Sequence, residues 1–175
     1  GAVIGTRRSM LKRIGGFEAL LELLADDYQL GRRVASSDQK LVICPFPVEC
    51  RTEELSAGAV WRHQLRWART MRVCQPVGYF FSLLGNGTIW LLLALIPGTV
   101  AGKWLFAIGL TLRMLGAVSS DRKLTDRWHW WVAPLAPLKD LAQVVLWVFS
   151  FAGNVVTWSG QRFRVNGGGK LTPLA

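Results

Sequence analysis

The distribution of apolar and polar positions divides the chain into two textures. Up to about residue 74, apolar residues come singly or in short runs broken by charge, whereas 75–102 and 141–161 hold no charged residue at all. In the first texture, 1–5 is small and apolar, suited to the end of a strand. "TRRSMLKRIGGF" predicts a short basic helix through Arg13, with Thr6 as N-cap and Gly15-Gly16 as its stop. "EALLELL" predicts a helical turn or two. Asp26 or Asp27 is placed to cap a further helix that runs to about Ser36, with Leu30 and Val34 four apart on one face. "KLVIC" predicts a short buried strand broken by Pro45 and Pro47, and "VECRT" a second one. From Glu53 the pattern is helical for about twenty residues; at roughly 100° per residue Arg62, Arg66 and Arg69 share one stripe of it.

The second texture fits a bilayer. A span needs ~20 apolar residues. The sequence predicts one helix near 78–97, ended by Pro97-Gly98, a second over 104–118 with Arg113 inside it, and a third over 141–161. An arginine at that depth is costly unless it snorkels or faces protein. "SSDRKLTDR" reads as a polar loop. "WHWWVAPLAPL" reads as interfacial, with two prolines that oppose a straight helix. "NGGGK" reads as a turn.

Composition sharpens this division. The 175 residues suit one domain, or a small domain with an appendage, and 51% hydrophobic content sits beside a net charge of +10. Residues 1–74 hold 12 Lys/Arg and 8 Asp/Glu; 75–175 hold 9 and 3. A membrane protein with cationic loops accounts for both facts. Nucleic-acid binding does not, because the cations are dispersed and the aromatics lie mainly in membrane stretches, leaving no stacking platform. The expected division is a soluble part over 1–74 and a membrane part over 75–175. The start in mid-pattern suggests the C-terminal part of a longer protein. Cys44, Cys50 and Cys74 read as reduced, mostly buried thiols, with a Cys44–Cys50 disulfide as the alternative.

Orientation contains a conflict. Arg62, Arg66, Arg69 and Arg72 place the front of the first span in the cytoplasm, and Arg122, Lys123 and Arg127 place the loop after the second span there too. Three full spans then put the C-terminus outside, against the preference of Arg162, Arg164 and Lys170. A re-entrant "WHWWVAPLAPL" would remove the conflict.

Two stretches can carry chemistry. "ADDYQLG" is explained as a helix start, since acids are favoured in the first turn; the same placement also suits a general base accepting a hydroxyl proton. "HQLRWARTMR" is explained as a juxtamembrane helix gripping anionic lipid heads. It equally suits a diphosphate site, because arginine offers paired donors to phosphate oxygens and stabilises a leaving diphosphate as its charge grows.

In this order, and followed by membrane helices, "LLADDYQLG" and "HQLRW" resemble the second half of a family 2 type inverting glycosyltransferase, with its third catalytic Asp and its (Gln/Arg)-x-x-Arg-Trp motif. The nearest branch is the ceramide glucosyltransferase-like one, with the bacterial hopanoid-associated enzymes. "GTRRSMLKRIGGFEAL" and "PLKDLAQVVLWVFSFAGNVVTWSGQRFRV" resemble its flanking segments. The resemblance implies an α/β fold, a partial GT-A type domain followed by helical transmembrane segments. It implies Asp27 as catalytic base, Asp26 as the acidic neighbour, and Arg66 and Trp67 as the Arg-Trp pair. His63 stands where the motif has Gln or Arg, and Gln64 beside it can share the donor role. It further implies a UDP-sugar donor, a lipid acceptor in the bilayer, and a divalent metal (Mg2+ or Mn2+) whose ligands lie outside this chain. The catalytic part is expected in the cytoplasm, at a bacterial inner membrane, and the chain alone is expected to be inactive. Two other readings stand beside it: a processive polysaccharide synthase, and a non-catalytic anchor on anionic lipid.

Overall fold

The computed structural model describes residues 3–37, 39–48, 56–158 and 161–174. It is mostly helical with one small sheet, and it divides into two units: Gly1–Pro76 with Ser150–Ala175, and Val77–Phe149. The final 26 residues thus fold with the N-terminal part, not with the apolar helices that precede them.

The first unit begins with α1 (Arg8–Arg13). Its N-cap is Arg7, one residue beyond the expected Thr6, with no side-chain cap. It ends as expected, at Gly15 and Gly16, whose φ angles of 99° and 70° suit residues without a Cβ. Then come a turn at Glu18–Leu20, α2 (Asp26–Ala35) and α3 (Ala57–Cys74). Ser56 caps α3 by accepting the Ala59 N–H at 3.3 Å. One cluster, Ile14, Leu20, Leu30 and Val34, packs α1 against α2 on the face the sequence indicated.

The unit closes with β1 (Val155–Trp158), β2 (Gln161–Val165) and β3 (Leu171–Pro173), an antiparallel sheet in that order with Val155 opposite Arg164 and Arg164 opposite Thr172. "QRFRV" alternates along the strand, so Val165 is buried while Arg162 and Arg164 face out. Val156, Val165 and Leu171 pack on Leu24, with Val73 of α3 beside them. Each such side chain contributes about 1.5–3 kcal/mol on burial. Segment 22–24 extends the sheet: Leu171 N–H donates to Glu22 O and Leu24 N–H to Gly169 O, both at 2.8 Å.

Several expectations need correction here. "KLVIC" is not a strand; 39–44 has no regular structure and is exposed, Ile43 at 94%. A strand gains its stability from cross-strand partners, and among the described residues none pairs with it. Cys44 is accordingly exposed, and of the two described thiols only Cys74 is buried. "VECRT" and the Cys44–Cys50 pairing fall on residues outside those described.

The second unit holds α4 (Pro76–Phe81) with a turn at Ser82–Gly85, α5 (Gly87–Leu93), α6 (Val100–Thr125) and α7 (Val132–Ser150). Helices α6 and α7 are long and apolar enough to cross a membrane; the bent pair around Asn86 raises the number to three if it counts as one span. The single helix expected over 78–97 is broken, with its two parts inclined by 54°. Asn86 starts α5 by accepting the Ile89 N–H on its own side chain. Helix α6 absorbs most of the expected polar loop. "VAPLAPL" is helical: α7 runs through Pro137 and ends at Ser150, so the third span begins and ends earlier than expected. Pro134 falls in the first turn of α7, where its missing N–H costs nothing, while Pro137 removes a single helical bond.

Candidate active site

The acidic pair sits at the start of α2. Ala25 precedes it in the left-handed region, φ 60° and ψ 57°, a conformation costing about 1–2 kcal/mol for an L-residue. Ala25 is thus the N-cap, and Asp26 and Asp27 are the first helical residues, which corrects the expectation that one of them caps. Asp26 Oδ1 accepts the Asp27 N–H at 2.9 Å, and Asp27 Oδ1 accepts the Tyr28 N–H at 2.8 Å. Both carboxylates therefore lie in the first turn, where the helix dipole favours negative charge. Asp26 is exposed and Asp27 half-buried.

The basic stripe of α3 splits into two parts with different partners. In the first part, His63, Arg66 and Trp67 come together. An Arg66 Nη2–H donates to His63 Nδ1 at 3.3 Å, and the His63 and Trp67 rings lie 5.0 Å apart. Trp67 and Gln64 remain exposed. In the second part the arginines hold the chain returning from α7. Arg69 Nη1 donates to Val155 O at 2.6 Å; Arg72 Nη2 donates to Gly153 O at 3.1 Å and to Asn154 Oδ1, with its guanidinium 5.2 Å from the Phe151 ring centre. Burial, and then the charge of Arg72, push the Arg69 guanidinium below its ordinary value. No sequence signal separated these two structural arginines from Arg66, because the returning chain lies more than 80 residues away.

The two clusters are linked through the C-terminal end of α3. Gln75 Nε2 donates to Tyr28 Oη at 2.6 Å. Gln29 Nε2 donates to Gly168 O at 2.6 Å and lies 4.0 Å from Cys74 Sγ. Gly169 closes this junction with φ 88°; a Cβ there would stand 3.1 Å from Cys74 Sγ, from Gln29 Nε2 and from Leu24 O. Burial raises the Cys74 thiol above its ordinary value, against the lowering influence of Arg32 and Gln29. The structure thus anchors α2 beside residues 74–75, and Arg66 stands two turns back, roughly 12 Å along the axis at 1.5 Å per residue. Tyr28, Gln29, Gln75 and Gly169 were not singled out from sequence, where they look like any helix and turn residues.

Among the described residues no three His, Cys, Asp or Glu side chains gather as a metal site. A groove of about 400 Å³ runs along α1 and α2, lined by Arg13, Ile14, Gln29, Arg32, Arg33, Ser36 and Ser37. Arg33 is committed there, donating to Ile14 O and Ala19 O at 3.1 Å each.

The chain belongs to glycosyl transferase family 21, the ceramide glucosyltransferase-like family of glycosyltransferases, whose model matches residues 1–171. No curated protein and no solved structure matches it.

Proposed function

We propose that the enzyme containing this chain transfers a sugar from a UDP-sugar to a membrane lipid alcohol, a ceramide-like or hopanoid acceptor, with inversion at the anomeric carbon. The observation that carries this reading is the tie between α2 and α3. The residue after Asp27 is hydrogen-bonded to Gln75, at the end of the helix that bears Arg66 and Trp67. The first unit then belongs to a GT-A type catalytic domain on the cytoplasmic side of a multi-pass protein, at a bacterial inner membrane.

In this mechanism Asp27 removes the proton from the acceptor hydroxyl. That oxygen attacks the anomeric carbon as UDP departs, in one displacement without a covalent sugar–enzyme intermediate. Arg66 meets the growing charge on the diphosphate, with His63 and Gln64 as further donors. Trp67 walls the sugar or lipid, and Asp26 orders the Asp27 backbone. A divalent metal on the diphosphate is held by ligands outside this chain, and these 175 residues alone neither bind UDP-sugar tightly nor turn over.

The test is product analysis in membranes carrying the whole enzyme. A glycolipid bearing one sugar, with inverted anomeric configuration, is the expected product. A long sugar polymer would replace this reading with the processive synthase. Micromolar UDP-sugar binding to the isolated 175 residues, by calorimetry, would overturn the assignment of the donor site to other parts of the protein.

A further inference from the structure

The chain leaves the first unit at Pro76 and re-enters it at Ser150. A folded unit built from both flanks lies on one face of a bilayer, so the chain between them crosses an even number of times. Three candidate spans are available, and α6 (26 residues) and α7 (19 residues) each qualify alone. The bent pair qualifies only when both parts are counted as one.

Contacts inside the second unit show the course of the bent pair. Six residues, 126–131, connect α6 to α7. They reach at most about 20 Å, half the roughly 39 Å length of α6 at 1.5 Å per residue, so α7 starts near the end of α6 and returns. The bent pair begins beside the last turn of α7, where Trp147 Nε1 donates to Tyr79 O at 3.0 Å and the Phe80 and Trp147 rings lie 5.8 Å apart. At its break it reaches the middle of α7: Asn86 Nδ2 donates to Asp140 O at 2.9 Å, and Thr88 Oγ1 to Asp140 Oδ2 at 2.6 Å. Arg113, midway along α6, closes the same carboxylate with two bonds of 2.8 Å. Beyond the break, α5 follows α6 back toward its start. A Cβ on Gly109 would collide with Leu91, and one on Gly102 with Ala94 O.

We propose that Pro76–Leu93 is a re-entrant segment, which enters and leaves the bilayer on one face, and that only α6 and α7 cross the membrane. Its partner is lipid. Val77, Phe80, Phe81, Leu84, Leu92 and Leu93 are exposed, and no charge occurs over 75–102. The polar break is tolerated within the bilayer because its backbone is bonded locally, Asn86 N–H to Leu83 O, and Asp140, itself held by Arg113, accepts from the Asn86 and Thr88 side chains. Charge near the span ends agrees: Arg62, Arg66, Arg69 and Arg72 precede Pro76 and Arg162, Arg164 and Lys170 follow Ser150, against Arg122, Lys123 and Arg127 around the α6–α7 connection.

The test is thiol labelling from each face of sealed vesicles, using the whole enzyme with Cys44, Cys50 and Cys74 replaced. Ile96→Cys reports the α5–α6 connection, Arg127→Cys the α6–α7 connection, and Gly167→Cys the first unit, with an impermeant maleimide as probe. Labelling in detergent identifies which thiols react when both faces are open. Ile96→Cys is expected to react from the same face as Gly167→Cys, and Arg127→Cys from the opposite face. Ile96→Cys reacting from the face opposite Gly167→Cys would make the bent pair a full span and overturn the proposal, as would Arg127→Cys reacting from the Gly167→Cys face. Where a cysteine variant does not accumulate, a cysteine at a neighbouring position of the same connection gives the same two-sided reading.

Discussion

The Tyr28 hydroxyl accepts a hydrogen bond from Gln75 at 2.6 Å, across 47 residues of sequence. It joins the turn that carries Asp27 to Gln75, the C-cap of α3. The bond is exposed, so its loss is small in stability terms, about 0.5–1.5 kcal/mol. Its consequence is for position. Tyr28→Phe and Gln75→Ala are each expected to lower sugar transfer several-fold while leaving protein levels and membrane insertion unchanged. Transfer assays on membranes normalised for enzyme content check this.

The two halves of the arginine stripe predict different losses. Arg66→Ala is expected to remove most transfer activity with little change in thermal stability. Arg69→Ala leaves Val155 O without its donor and opens the contact between α3 and β1; about 1–3 kcal/mol of stability goes with it. Melting curves and limited proteolysis near 151–155 separate the two. Equal effects from both variants would favour the lipid-anchor reading, in which only the number of arginines counts.

Gly169→Ala combines a left-handed φ with three contacts at 3.1 Å. The expected cost is about 2–4 kcal/mol, from strain and overpacking together. Gly168, with open space around it, is expected to pay only the backbone part on the same substitution. Denaturation of the two variants side by side tests the junction between Gly169, Gln29 and Cys74.

Cys74 titrates above its ordinary value because it is buried. A raised folded-state value means that the folded protein holds the thiol proton more tightly than the unfolded chain. Stability from this group is therefore complete below the unfolded thiol value, ~8.5, and falls as pH rises through the folded one. Maleimide at pH 7 is expected to modify the exposed Cys44 quickly and Cys74 slowly, with a Cys74→Ala variant losing the alkaline sensitivity. Equal labelling rates would contradict the buried placement.

Much of this fold could be read in the sequence, and the misses have physical causes. Helices α2 and α3 and the Leu30–Val34 face follow from local periodicity and capping; α2 lies within a residue or two of the expected bounds, whereas α3 starts at Ala57, where Ser56 caps it, four residues after the expected Glu53. The family too was legible from the Asp-Asp and Arg-Trp motifs. Propensity failed for 40–44, because a strand exists only through its partners. The break at Asn86 was hidden by an unbroken apolar run; it depends on Asp140 and Arg113, brought together from distant helices. The C-terminal sheet was hidden for the same reason. "VVTW" continues an uncharged stretch, and only its packing on Leu24 removes it from the membrane span.

The most direct measurement of the central claim is sugar transfer to lipid by the whole enzyme with Asp27→Asn, alongside Asp26→Asn. Asp27→Asn keeps the side-chain shape and the carbonyl acceptor for Tyr28 N–H but cannot accept a proton. Activity is expected to fall by about two to four orders of magnitude, the usual worth of a general base, with Asp26→Asn far milder and both variants inserted normally. Wild-type activity in Asp27→Asn would contradict the account and return the acid pair to the role of an ordinary helix start.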